Sequence, residues 1–182
     1  LYLVQTAEKG IQWLRLRAKG RAGHGSMLND ENAVVLLAEA VARVGRIDWP
    51  VHLTDSVRDL LRGISEATGV ELDPDDLPTT LARLGPMATL VGATLQNTAN
   101  PTMLSAGYKH NVIPGDAVAH VDCRFLPGYE EELLAKLDEA LGEHVVREEH
   151  IADIAVETTF DGASIDLMAA ALRAEDPGAR TV

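Results

Sequence analysis

Hydrophobic and polar positions along this chain follow two periods, and the places where the period changes mark its elements. Between Ile11 and Lys19, Leu14, Leu16 and Ala18 fall on one side and Trp13, Arg15 and Arg17 on the other, the two-residue repeat of a half-buried strand. From an N-cap at Asn29 or Asp30 to Gly45 the repeat lengthens. Val34, Leu37, Ala38, Val41 and Val44 recur there as on one face of a helix. Trp49-Pro50 closes that unit. Residues 54–94 read as helical, with Val57, Leu60, Leu61 and Ile64 as a core-forming stripe, Gly69 as a stop, and Pro74, Pro78 and Pro86 dividing the rest. Strands follow over 101–108 and 115–125, then a helix over 130–141 and a last strand over 151–158. In the strand over 115–125, Ala117, Ala119, Val121, Cys123 and Phe125 form an apolar face, while Val118, His120, Asp122 and Arg124 point away from it.

Helices alternating with antiparallel strands in this order predict an α+β fold: a ferredoxin-like two-layer sandwich. It has a four-stranded antiparallel sheet, two helices on one face, and a helical insertion. A chain of 182 residues with 46% hydrophobic content can bury one substantial core and a small appendage. The net charge of −12 speaks against nucleic-acid binding, because phosphate contacts need a basic face. No apolar run reaches the roughly 18 residues of a membrane span, and no signal peptide is visible, so a cytoplasmic protein is expected. The single cysteine, Cys123, falls on an apolar strand face and reads as buried filler.

Two stretches carry candidate chemistry. Tyr108-Lys109-His110-Asn111-Val112-Ile113-Pro114-Gly115 runs into the strand that ends Val121-Asp122-Cys123-Arg124-Phe125-Leu126-Pro127-Gly128. This fixes an amide, Asn111, and a guanidinium, Arg124, at the two ends of one β-element, where both can face the same ligand. Arg124 points away from the core and is free to fork onto a carboxylate; the competing reading pairs it with Asp122 or Glu130 on a solvated strand. Upstream, Ala18-Lys19-Gly20-Arg21-Ala22-Gly23-His24-Gly25-Ser26 follows a strand and precedes a helix. Its glycines present His24 on a tight loop poor in side chains, where an imidazole can donate to developing oxyanion charge or exchange a proton near neutral pH. The spacing is not the G-x-G-x-x-G of a dinucleotide loop, and no parallel βαβ unit surrounds it. The carboxylate runs Glu130-Glu131-Glu132 and Glu148-Glu149 read as solvated charges. None of the six histidines stands in a spacing that would seed a metal site.

Taken together, G-R-A-G-H-G-S after the first strand, Asn32-Ala33-Val34 opening the next helix, and N-V-I-P-G followed by D-C-R-x-L-P-G resemble the lid, or dimerisation, domain of metallopeptidase family 20. That family includes aminoacylases, acetylornithine deacetylase, succinyl-diaminopimelate desuccinylase and carboxypeptidases. The resemblance implies that His24 reaches the partner subunit's active site and contacts the scissile carbonyl oxygen, that Asn111 binds substrate nearby, and that Arg124 grips a substrate carboxylate. It further implies a homodimer formed through the lid and a small, amino-acid-derived substrate cleaved at an amide bond. Two zinc ions and a glutamate base would belong to a catalytic domain whose motifs this chain lacks, so no metal or other cofactor is expected on the chain itself and no activity from it alone.

On this reading residues 1–9 end a strand leaving the catalytic domain. Residues 10–160 form the lid with its insertion at about 54–96, and residues 161–182 begin the return. The alternative is a freestanding ferredoxin-like module that binds a small metabolite or mediates oligomerisation, since that fold hosts many binding roles.

Overall fold

The computed structural model describes all of residues 1–182. They divide into two compact units: one comprises Lys9–Trp49 and Asn97–Ala155, the other Leu1–Glu8, Pro50–Gln96 and Val156–Val182.

The first unit is the expected two-layer sandwich. Its sheet holds β2 (Gly10–Lys19), β4 (Thr98–Ala106), β6 (Asp116–Phe125) and β7 (Val145–Asp153), in the spatial order β4-β6-β2-β7 with every neighbour antiparallel. Two helices, α1 (Ala33–Val44) and α5 (Glu130–Leu141), cover one face. The period-two pattern of the central strands has a direct physical outcome. Leu14, Leu16 and Ala18 of β2, with Ala117, Ala119, Val121, Cys123 and Phe125 of β6, are buried against Leu37, Ala40 and Val44 of α1 and Leu133, Leu137 and Leu141 of α5. Small alanines in the middle of β6 let the helices approach the sheet closely. Arg43 of α1 ties the two helices together: Nε donates to the Ala140 carbonyl at 2.6 Å and Nη2 to Leu141 at 3.2 Å, so two orphan carbonyls at the end of α5 gain partners.

Four expectations need correction. The buried stripe of α1 is Ala33, Leu37, Ala40 and Val44, with Val41 half-buried, whereas Val34 and Ala38 of the expected face are exposed. The helix α1 is capped by Asn32, whose side chain accepts from the Val34 N–H, and not by Asn29 or Asp30. Asn29 is occupied in the loop, donating to the Arg21 carbonyl at 2.6 Å, and Asp30 pairs with Arg21. The last strand of the sheet runs over Val145–Asp153, not 151–158; a separate two-residue strand, β8 (Val156–Glu157), pairs with β1 (Ala7–Glu8) in the second unit. The carboxylate runs are also more engaged than solvated charges. Glu148 accepts from Arg15 Nε at 2.7 Å, Glu149 from Gln12 Nε2 at 2.9 Å, and Glu132 from Asn97 Nδ2 at 3.2 Å. β7 escapes sequence reading because charged residues occupy both of its faces and its register against β2 slips between Trp13 and Leu14, which breaks the alternation.

The second unit is helical. It contains α2 (Asp55–Thr68), α3 (Leu77–Leu84), a 3-10 turn over Gly85–Met87, α4 (Ala88–Ala93) and α6 (Ala163–Glu175). Thr54 caps α2, and Gly69 ends it in the left-handed conformation with φ of 72°, which a side chain rarely tolerates. Of the anticipated stripe of Val57, Leu60, Leu61 and Ile64, Val57, Leu61 and Ile64 form a core of their own with Leu72, Val91, Leu95 and Val182, and Leu60 packs against it half-buried. No helix of the chain is long and apolar enough to cross a membrane.

Candidate functional site

The loop bearing His24 is shaped by one close backbone approach. At Gly20 a Cβ would stand 2.0 Å from the Glu31 carbonyl oxygen, so only glycine lets the loop pass the segment that leads into α1. Arg21 N–H then donates to the same Glu31 carbonyl at 2.8 Å. The chain next forms β3 (Gly23–His24), which pairs antiparallel with β5 (Val112–Ile113), so His24 lies opposite Val112. Gly25 N–H donates to the Asn111 carbonyl at 2.9 Å.

This miniature ladder brings two of the three candidate residues together although they are 87 positions apart in sequence. The Asn111 side-chain amide lies 3.4 Å from His24 Nε2. Both side chains are exposed. Beside them a groove of about 380 Å³ is lined by Val34, Tyr108, Lys109, His110 and Pro114, among others. Within the second unit a roomier cavity of about 700 Å³ between Tyr2–Gln5 and Met168–Glu175 holds none of the candidate residues.

Arg124 is elsewhere. It sits opposite Ile11 at the far end of β6, whereas Asp116, at the end near Asn111, sits opposite Lys19. The eight steps from Asp116 to Arg124 span about 26 Å at the rise of an extended strand. Within one chain, therefore, His24 and Asn111 share a place and Arg124 does not join them around a small ligand. Its guanidinium forks onto Asp122, with Nε to Oδ1 at 2.7 Å and Nη2 to Oδ2 at 3.1 Å. Lys9 shares its surroundings. Partial burial first, and the nearby Arg124 charge second, lower the Lys9 ammonium to about 8. Lys9 and Arg124, with Asp122 and, across β2, Asp153, thus mark this end of the sheet.

No group of three His, Cys, Asp or Glu side chains comes together anywhere in the chain in a way that could hold a metal ion. The residues present do not fit a catalytic metal. Two residues of consequence were not legible as such in the sequence. Ser26, part of the H-G-S motif, contacts the His24 ring. Asn97 is fully buried and joins three elements: it donates to the Tyr129 carbonyl at 3.0 Å and to Glu132, and accepts from Leu126 N–H at 2.9 Å. That staple fixes the turn which follows Arg124.

A family model described as the peptidase dimerisation domain matches residues 6–149. The human N-fatty-acyl-amino acid synthase/hydrolase PM20D1 is 28% identical over 132 residues, which are 69% of this chain and 26% of that protein. Among solved structures, the M20 family metallo-carboxypeptidase Sso-CP2 from Sulfolobus solfataricus superposes with a TM-score of 0.65 at 19% identity, over 97% of this chain and 45% of its own. Human carnosine dipeptidase 1 does so with 0.61 at 12% identity, over 100% of this chain and 44% of its own. The chain thus spans about a quarter of the length of the curated relative and under half of either solved structure.

Proposed function

Because the chain belongs to the peptidase dimerisation-domain family of the M20 metallopeptidases, we propose that it is the lid of a hydrolase that cuts an amide bond next to a free carboxylate in a peptide or N-acyl amino acid. His24 donates a hydrogen bond to the carbonyl oxygen as negative charge builds on it, Asn111 orients the same group, and Arg124 receives the carboxylate. Such a hydrolase uses two zinc ions, held by residues outside this chain.

The observation that carries the reading is the separation of the three residues. His24 and Asn111 meet near the Asp116 end of β6, and Arg124 lies at the other end, with a strand length of about 26 Å between Asp116 and Arg124. One small substrate touching all three must meet them from two copies of the chain. The two sheet edges favour the same arrangement. β7 carries Arg147, Glu148, Glu149 and His150, charges of the kind that discourage edge pairing. β4 instead exposes Met103 and Leu104 by 63% and 62%, which suits an isologous contact with a second copy.

Subunit mixing tests this in the parent enzyme. His24→Ala should lower kcat by roughly 10²–10³-fold, the usual loss for one oxyanion donor, with little change in KM. Arg124→Ala should mainly raise KM, because its contact exists in the ground state as well. Mixing His24→Ala subunits with subunits inactivated at the catalytic glutamate should restore part of the activity, since one site of the mixed dimer then has both an intact base and an intact partner histidine. No recovery, with subunit exchange verified, refutes action across the dimer.

A further inference from the structure

Within the His24 loop, Ser26 makes contacts that the hydrolytic reading leaves unused. The turn His24-Gly25-Ser26-Met27 is closed by Met27 N–H donating to the His24 carbonyl at 2.9 Å, which folds Ser26 back onto the imidazole. Its Oγ stands 2.8 Å from His24 Nδ1, and its backbone N–H donates to the same nitrogen at 3.3 Å. A hydroxyl can give or take a hydrogen bond, but a backbone amide can only give one. Nδ1 therefore presents a lone pair, and the ring proton of the neutral imidazole belongs on Nε2. A proton on Nδ1 would face the Ser26 N–H directly.

At the other ring nitrogen the Asn111 amide lies 3.4 Å from Nε2, placed with Nδ2 towards the ring. With the amide nitrogen towards the ring, two donors would oppose each other. The oxygen and nitrogen of an amide are assigned from such networks, and only the orientation with Oδ1 towards Nε2–H satisfies both groups. Asn111 then accepts from the ring in the resting chain and yields that proton to a better acceptor when one arrives.

We propose that Ser26 is a positioning residue that locks His24 in the Nε2–H tautomer, so that the ring acts as a hydrogen-bond donor and not as a base, and that the rate of amide hydrolysis in the parent enzyme depends on this lock. The proposal rests on the catalytic reading of His24. An Nε2–H aimed at a carbonyl oxygen strengthens its hydrogen bond as charge develops there. The opposite tautomer would turn a lone pair towards the same oxygen and oppose the reaction. In this family member the tautomer is set within the loop, by a turn of four residues, and needs no carboxylate behind the ring.

Long-range proton–nitrogen correlation spectra of the isotope-labelled chain read the tautomer directly, with His24→Gln identifying the signal and the exposed His144 serving as reference. The wild-type chain should show His24 as Nε2–H alone; Ser26→Ala removes the 2.8 Å hydroxyl contact and leaves only the longer backbone N–H contact at 3.3 Å, so it should bring in the Nδ1–H form, and Ser26→Thr, which keeps the hydroxyl, should restore the single species. A wild-type ring in the Nδ1–H form, or a spectrum that Ser26→Ala leaves unchanged, overturns the lock. In the parent enzyme Ser26→Ala should lower kcat roughly 10-fold, the usual cost of losing a group that orients a functional histidine, while KM holds and Ser26→Thr recovers the rate. An altered spectrum with an unaltered kcat overturns the dependence of catalysis on the lock; the failure then lies in the reading of His24 as the oxyanion donor.

Discussion

At the scale of single residues, burial separates the candidate site residues from those that hold the fold. His24 and Asn111 are exposed on a loop whose path depends on Gly20, whereas Cys123 is fully buried in the middle of the sheet beneath the helices. Burial first, and the neighbouring Asp122 carboxylate second, push the Cys123 thiol from 9.0 up to about 12. The linkage has a definite sign. Between pH 9.0 and about 12 the unfolded chain loses the thiol proton and the folded chain keeps it, so the folded state binds more protons. The stabilisation is fully present below pH 9.0 and lost as pH rises through about 12, at a slope of up to about 1.4 kcal/mol per pH unit. Denaturation midpoints measured from about pH 8 to about pH 11, on either side of the ordinary thiol value of 9.0, should fall more steeply for wild type than for Cys123→Ala. At neutral pH the thiol should also resist disulfide-exchange reagents until the chain is unfolded.

Elements add a property that no residue has alone, which is an edge. β4 and β7 both border the sheet and both expose apolar side chains, Met103 and Leu104 on β4 and Val146 and Ile151 on β7, but on β7 these are interspersed with charges engaged by Arg15, Gln12 and Asp138. A contact through β4 between two copies would extend the antiparallel ladder and cover Met103 and Leu104. Specific interfaces bury about 1,200 Å² or more. Placing a charge there, as in Leu104→Lys, should convert dimers to monomers in sedimentation, with a change in monomer stability of about 0.5 kcal/mol or less, as for other surface substitutions. Glu148→Ala on the opposite edge should leave the sedimentation unchanged. Equal behaviour of the two variants would exclude β4 as the dimer edge.

On the scale of the whole molecule, the chain brings His24 and Asn111 together and gathers no group of three side chains that could hold a metal. The absence of any three-ligand cluster and the exposure of His24 and Asn111 both lead to one expectation. The isolated chain should not hydrolyse N-acyl amino acids or dipeptides, with or without added zinc, and titration calorimetry should show no stoichiometric zinc binding. Zinc-dependent turnover by the purified chain would contradict the assignment of catalysis to residues outside it.

The sequence by itself determined the sandwich and its helical companion, because the two-residue repeat of β2 and β6 leaves only one apolar face to bury, although for α1 it placed Val34 and Ala38 where Ala33 and Ala40 are buried. It also singled out His24, Asn111 and Arg124, since a histidine among glycines, an amide before Pro114 and an arginine on an outward strand face are local patterns. Only the tertiary structure decided which of these meet. Pairing of β3 with β5 joins His24 to Asn111, and the straight run of β6 carries Arg124 to the opposite end. The strand β7 and the buried Asn97 were hidden for the same reason as that geometry. Their partners, Arg15 and Gln12 for the strand and Leu126, Tyr129 and Glu132 for the amide, lie far along the chain. A polar side chain reads as exposed until the fold supplies the groups that satisfy it.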